Sequence, residues 1–238
     1  PKCLMPIQGR PLLEHWLCTL YINGIRDILV NTHSHRELVD DFLNRERFRH
    51  LVSGVYEAKL LGTAGTLREH SEKFMCQTTL LVHADNWCQC DFSAFLSYHA
   101  KQRPRHTVLT MMTFRTPTPE TCGIVELDNQ GVVKRLSEKI SNPPGNLANG
   151  AVYLIEPEVL AWLRNTPSKS DFSTQVLPHF IGRIATWENK RTHRDIGTIR
   201  ALIDAQNDQL PDLCWPEQDN WQKKFTDNPI HQLLDQMQ

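Results

Sequence analysis

The sequence predicts an α/β fold built on a doubly wound, mostly parallel sheet, with a small β-hairpin insertion. Three observations carry this expectation. Short apolar runs alternate with helical periodicity from Leu12 to Phe114, the β-α-β-α-β order of a parallel sheet. The run L-L-V-H-A-D-N-W, Leu80 to Trp87, reads as a buried parallel strand ending near Asp85, and ligands of open α/β sheets bind beyond the carboxyl ends of strands. After residue 120 the pattern changes: Gly123–Leu127 and Val132–Ser137 flank Asp128-Asn129-Gln130-Gly131, a hairpin turn.

Taken in order, Gly9-Arg10-Pro11 is a turn, and Leu12, Leu13, Trp16, Leu17 and Leu20 follow helical spacing up to Asn23-Gly24. Ile25 to Val30 reads as a strand. Residues 34–45 read as a helix, with Ser34 as N-cap and Glu37 completing a capping box. Val52–Tyr56 is a strand, and the small-residue turn L-G-T-A-G-T, Leu61 to Thr66, opens a short helix. Asp91 or Ser93 caps the helix that runs to about Lys101, and His106–Phe114 is a strand. Ala148–Ile155 is a further strand, and Glu156-Pro157 starts a helix. Another helix begins at Ser170 or Asp171 with Phe172, Val176, Leu177 and Phe180 inward. Short strands follow at Ile184–Trp187 and Lys190–Asp195, and Thr198 caps a helix to about Asp208.

With 238 residues, the chain fits one domain, 1–210, and a helical tail, 211–238. Hydrophobic content of 40% and charged content of 22% place it among globular proteins. A net charge of −1 gives no electrostatic basis for binding nucleic acid or an anionic membrane. No apolar run approaches the roughly 18 to 20 residues that span a bilayer. The seven cysteines lack C-x-x-C spacing and read as free thiols, which suits a cytoplasmic protein. Trp215 and Trp221 in the tail invite a homodimer expectation.

Asp85 alone reads as a turn or helix N-cap residue. A second strand-end carboxylate, Asp195 in R-D-I-G-T, and the Gly62–Gly65 turn change its meaning. Two distant carboxylates at strand ends plus a small-residue loop suit a divalent metal bound to a nucleotide.

Six segments then resemble, in order, those of the sugar-1-phosphate nucleotidylyltransferases. They are P-K-C-L-M-P-I-Q-G-R-P-L-L-E, L-G-T-A-G-T-L, H-A-D-N, C-G-I-V-E-L-D-N-Q-G-V-V-K-R-L-S-E-K, N-G-A-V-Y-L-I-E-P and D-I-G-T. The mannose-1-phosphate guanylyltransferase-like branch is the most similar. The resemblance covers roughly residues 1–206 and implies a Rossmann-like nucleotidyltransferase fold in which the hairpin binds sugar. It implies that Lys2 neutralises phosphate and that Asp85 and Asp195 hold Mg²⁺. It implies that Gly62, Thr63, Ala64 and Gly65 meet the nucleobase edge through backbone groups. It implies room for the sugar ring at Gly123, sugar or phosphate contacts from Glu138 and Lys139, and a sugar-site lining from Asn149 and Gly150. The implied substrates are a nucleoside triphosphate and a sugar 1-phosphate, GTP and mannose 1-phosphate first among them, with uridylyl, thymidylyl and heptose reactions also open.

Three departures stand out. A G-x-G-T-R-type triphosphate loop, implied upstream of Lys2, lies outside the sequence, so further residues are expected before Pro1. Ile140 replaces the Pro that follows E-K, and His193-Arg194 precedes Asp195, making Arg194 a candidate phosphate contact. A non-catalytic nucleotide-sugar-binding or regulatory subunit is the alternative. A glycosyltransferase is disfavoured because no D-x-D occurs.

Overall fold

The computed structural model describes residues 1–74, 76–211, 213–215 and 217–237. Along the chain come β1 (Pro6–Ile7), β2 (Arg10–Pro11), α1 (Leu12–Ile22), β3 (Ile28–Thr32), α2 (Arg36–Leu43), β4 (Val52–Tyr56), α3 (Thr63–Glu69), β5 (Thr79–Val82), β6 (Asn86–Cys88) and α4 (Phe92–Lys101). Then follow β7 (Leu109–Arg115), β8 (Gly123–Leu127), β9 (Val133–Glu138), β10 (Leu147–Ile155), α5 (Pro157–Arg164), β11 (Ile184–Glu188), β12 (His193–Asp195), α6 (Ile199–Gln206), α7 (Asn220–Thr226) and α8 (Ile230–Met237). The chain forms two units. One comprises Pro1–Leu60, Ala84–Gln89 and Thr192–Gln238, the other Leu61–His83 and Cys90–Arg191.

The second unit holds the large sheet, in the order β11-β7-β10-β8-β9 with β5 also paired to β10. β7 and β11 are parallel, whereas β10 runs antiparallel to β5, β7 and β8. The α/β class therefore holds, with a mixed sheet in place of a mostly parallel one. The Leu80–Val82 run, expected to be parallel and buried, is antiparallel to β10 and half-buried. An apolar run reports burial pressure but not direction, which is set here by a strand far along the chain. The hairpin β8–β9 forms as expected. Asp128 Oδ1 accepts the N–H groups of Gln130 and Val132, and Gly131 takes φ +74° to close the turn.

The core of this unit gathers Tyr153, Ile155, Val159, Leu160, Leu163, Phe172, Val176, Leu177 and Phe180, all buried. Each such side chain contributes about 1.5–3 kcal/mol of burial. That suffices to pin residues 172–180, which form a π-helical turn and a 3-10 turn where one α-helix was expected. Pro178 explains the difference: it has no N–H to offer the preceding turn, so the α ladder cannot continue through it. The four apolar side chains still point inward, as their spacing predicts.

In the first unit, β3 and β4 form a parallel ladder from Ile28↔Val52 to Thr32↔Tyr56. α1 is buried on almost every side, including Glu14 and His15. α2 begins at Arg36 behind His35, whose φ of +55° places it in the left-handed region, and no side chain caps it. The expected Ser34/Glu37 capping box is therefore not made. His33 is held by the Glu57 carbonyl through Nδ1, and the left-handed His35 puts the helix start at Arg36.

The tail is tied to this unit by covalent, aromatic and ionic contacts. Cys18 and Cys214 form a disulfide, so the free-thiol expectation fails for these two residues. Spacing could not reveal the pair, because 196 positions separate them. The Trp215 ring meets Tyr21 and Phe48, and the Trp221 ring meets Phe42. These contacts within one chain account for the two tryptophans that suggested a dimer. Arg45, 3% exposed at its side chain, bonds Glu14 through Nη1 at 2.5 Å and Asp219 through Nε at 2.8 Å. Its guanidinium lies over Trp221, Phe48 and Phe42, at 4.8, 5.1 and 5.3 Å from the ring centroids. Arg10 and Arg47 complete the cluster around Glu14. Among the described residues no helix is long and apolar enough to cross a membrane.

Removing one partner from a buried ion cluster leaves an uncompensated charge. Glu14→Ala removes the carboxylate shared by Arg10, Arg45 and Arg47, leaves Asp219 as the carboxylate paired with Arg45 and Arg47, and is expected to cost about 3–5 kcal/mol in urea denaturation. A loss below about 1 kcal/mol would show that the cluster is solvated.

His15 bonds the Ile7 carbonyl through Nε2 at 3.1 Å and lies edge-on to Trp87. Burial pushes its pKa down, against the opposing pull of the Ile7 carbonyl and Glu14. The folded state thus prefers neutral imidazole. Its contribution to stability is present above the ordinary His value and is lost as pH falls below it. The thermal midpoint should fall between pH 7 and pH 5, and fall less in His15→Gln. An unchanged pH slope in that variant would remove His15 as the cause.

Candidate active site

The first unit brings together three of the expected residues. Lys2 Nζ donates to Asp85 Oδ2 at 2.9 Å and to Asp195 Oδ1 at 3.1 Å. The carboxylates meet because β6, directly after Asp85, pairs antiparallel with β12, setting Asn86 opposite Asp195 and Trp87 opposite Arg194. The Ile196 N–H donates to the Asp85 carbonyl and closes this end of the ladder. Gly197 follows, and a Cβ there would stand 3.0 Å from Asp195 Oδ2, so the carboxylate folds over a residue with no side chain. Burial acts to lower the Lys2 pKa, but the hydrogen bonds and charges of Asp85 and Asp195 outweigh it and raise the value. The ammonium is therefore a fixed cation.

Lys2 occupies the point on which two hard oxygen donors converge. That donor chemistry fits a divalent ion of the Mg²⁺ type. Among the described residues no group of three His, Cys, Asp or Glu could hold a metal. Two carboxylates nonetheless suit Mg²⁺, which completes its shell with water and substrate phosphate. Arg194, the candidate phosphate contact, is paired with Asp204 and Asp208.

The second unit brings together a different set. Gly62 has φ +78°, and a Cβ there would fall 2.4 Å from the Ser170 carbonyl oxygen. That carbonyl accepts the N–H of Ala64 at 2.9 Å and of Gly65 at 3.4 Å, while Thr63 Oγ1 accepts the Phe172 N–H. The small residues of this turn are thus required by a close backbone approach, and two of its amides are already engaged. The Thr66 N–H donates to the Gly62 carbonyl, which leaves the amides of Gly62 and Thr63 at the start of the helix as the donors offered to a ligand.

Glu138 lies at the end of β9 opposite Gly123, where a Cβ would stand 2.5 Å from Glu138 Oε2. The room that Gly123 leaves is taken by this carboxylate. Ser173 Oγ donates to Glu138 Oε2 at 3.1 Å, and Asn149 Nδ2 donates to Ser173 Oγ at 3.4 Å. Lys139 is exposed with φ +48°, and Gly150 is buried in β10. Tyr153, wholly buried, hydrogen-bonds Asn149, and burial pushes its phenol pKa up, so it stays protonated. Ser170 and Ser173 escaped the sequence reading because K-S-D-F-S-T looks like an ordinary helix start. The one legible signal was Asp171, which does cap Thr174.

The first 211 residues match the family model described as Nucleotidyl transferase. The chain belongs to that family. A mannose-1-phosphate guanyltransferase 2 of Candida glabrata is 23% identical to this nucleotidyl transferase chain over 212 residues, covering 85% of it and 57% of the relative. A UTP–glucose-1-phosphate uridylyltransferase of Synechocystis is 26% identical, covering 68% of this chain and 45% of the relative. The chain thus spans about half the length of the curated relatives it matches. The crystal structure of HddC from Yersinia pseudotuberculosis complexed with GMP-PN superposes with a TM-score of 0.72 at 20% identity, over 87% of this chain and 88% of that one. It shares the fold.

One backbone feature of this family member has an energetic cost. It lies in the segment Asn149-Gly150-Ala151 of β10. Ala151 takes φ +52°, at the register shift that separates Asn149 from Tyr153 in β10. Its N–H is held by Asn149 Oδ1 at 3.0 Å. A left-handed conformation costs an L-residue about 1–2 kcal/mol. Ala151→Gly should therefore stabilise the chain by about 0.5–1 kcal/mol in chemical denaturation. A destabilised variant would mean that the alanine methyl contributes more by packing than its backbone loses.

Proposed function

We propose that this chain catalyses nucleotidyl transfer from a nucleoside triphosphate to a sugar 1-phosphate, releasing pyrophosphate. The pair to test first is GTP with mannose 1-phosphate, a choice supported by the named guanyltransferase relative. The observation that carries the proposal is the convergence of Asp85 and Asp195 on one cation.

The sugar phosphate oxygen attacks the α-phosphorus in line, the new O–P bond forms, and the bond to pyrophosphate breaks. The nucleophile is already an anion, so the chain needs no general base. Its task is to position two polyanions and offset their repulsion. Asp85 and Asp195 would hold Mg²⁺, which neutralises phosphate charge when bound. Lys2 supplies a permanent positive charge to phosphate oxygens. With an ion held by Asp85 and Asp195, the Lys2 ammonium that now bonds both carboxylates would be free for those oxygens.

Glu138, fixed by Ser173, accepts hydrogen bonds from sugar hydroxyls, with Asn149 beside it and Lys139 directed to the sugar phosphate. Its carboxylate has two oxygens, and Ser173 engages Oε2, leaving Oε1 for the ligand. The amides of Gly62 and Thr63 serve the base edge. The left-handed Lys139 and Ala151 support this reading, since strained backbone gathers at ligand sites.

Pyrophosphate release should appear with a triphosphate, a sugar 1-phosphate and Mg²⁺ together, and not when any one is omitted. Asp85→Ala and Asp195→Ala should each lower turnover by about two to four orders of magnitude, roughly 3–5 kcal/mol of barrier, with an unchanged circular dichroism spectrum. Near-parental turnover in either variant would overturn the carboxylate assignment.

A further inference from the structure

A third acid, Asp208, bonds both of the short strands beside the carboxylate pair. At the C-terminal end of α6, Asp208 Oδ2 accepts the Trp87 indole N–H at 2.9 Å, and Asp208 Oδ1 accepts Arg194 Nη2 at 3.4 Å. Trp87 and Arg194 are register partners across β6 and β12, the two short strands beside Asp85 and Asp195. One carboxylate thus grips both strands of a ladder that is only three residue pairs long.

The same helix end also holds the segment that follows Lys2. Gln206 Oε1 accepts the Gln8 N–H at 2.7 Å, Gln206 Nε2 donates to the Pro6 carbonyl at 2.9 Å, and Gln8 Nε2 donates to the Asp208 carbonyl at 2.6 Å. All three segments that supply the converging charges are therefore fastened to residues 206–208.

A two-stranded ladder this short has little intrinsic stability. Its register fixes the separation of the two carboxylates, and a slip of one residue would turn every side chain to the other face. Trp87 is 1% exposed, so its indole N–H is fixed in place and needs a buried acceptor. Arg194 also pairs with Asp204, but that contact joins β12 to α6 and leaves β6 untouched.

We propose that Asp208 is a positioning residue that sets the spacing of Asp85 and Asp195, and with it the affinity of the pair for a divalent cation. The proposal rests on the reading of these two aspartates as a cation site. It assigns a role to a residue that the sequence places in no motif.

The test is a titration of the folded chain with Mn²⁺ alone, with free ion followed by electron paramagnetic resonance. Asp208→Asn keeps an oxygen for the indole but loses the charge that pairs with Arg194. It should weaken Mn²⁺ binding about 10- to 100-fold, the usual effect of altering an outer-shell partner. Trp87→Phe keeps a large ring, removes only the N–H donor, and should weaken binding in the same direction. It serves as the second variant if Asp208→Asn does not fold. Arg200→Ala, which breaks an exposed pair on the same helix, should leave the affinity unchanged.

A purely structural role would lower the thermal midpoint of Asp208→Asn and leave Mn²⁺ affinity at the parental value, which overturns the proposal. Asp85→Asn separates the two levels of inference. If it abolishes Mn²⁺ binding while Asp208→Asn and Trp87→Phe do not weaken it, only the positioning role falls. If Asp85→Asn binds Mn²⁺ like the parent, or the parent binds none, the cation site falls and the role of Asp208 with it.

Discussion

The antiparallel register of β6 on β12 is the constraint on which the first unit is built. Asp85 and Asp195 are 110 positions apart, and three paired residues on each strand bring them to one ammonium. Neither strand is long enough to be stable alone, so the register is borrowed from its surroundings. Trp87 of β6 is buried, α6 follows β12, and residues 206–208 at its end grip both strands and the Lys2 segment. Charge at the surface is thus organised by hydrogen bonds and packing beneath it. The exposed ion pairs themselves add little stability.

Both units use one polar device: a carbonyl or carboxylate that gathers donors from segments distant in sequence. In the second unit the Ser170 carbonyl collects two amides of the small-residue turn, and Glu138 collects Ser173 in the space left by Gly123. In the first, Glu14 collects three guanidinium groups within the hydrophobic environment of α1. The cost of burying Arg45 is offset by pairing and by the faces of three aromatic rings. Together with the Cys18–Cys214 bond, this cluster makes the tail part of the first unit, although the sequence reads as a domain with an appendage.

Local rules were legible wherever the determining partner lies a few residues away. Asp91 caps α4, Thr198 caps α6, Asp128 and Gly131 close the hairpin, and Pro157 opens α5, all as their positions predict. Local rules failed where a distant group intervened. The Ser34 cap is not made where His33 meets Glu57, the Leu80–Val82 strand took its direction from β10, and Pro178 divided a helix whose apolar spacing looked continuous.

The sequence by itself determined the class of fold, the inward faces of most elements and the residue types offered to a ligand, because periodicity, caps and turns act over a few residues. It also placed Asp85 and Asp195 at strand ends. Only the tertiary structure decided that they share the Lys2 ammonium, that Arg194 meets Asp208, that Ser173 holds Glu138, and that Cys18 meets Cys214. Each of these depends on strand register or on chain segments that meet only after folding. Distances of that kind are set by the whole packed core and are written in no single stretch of the chain.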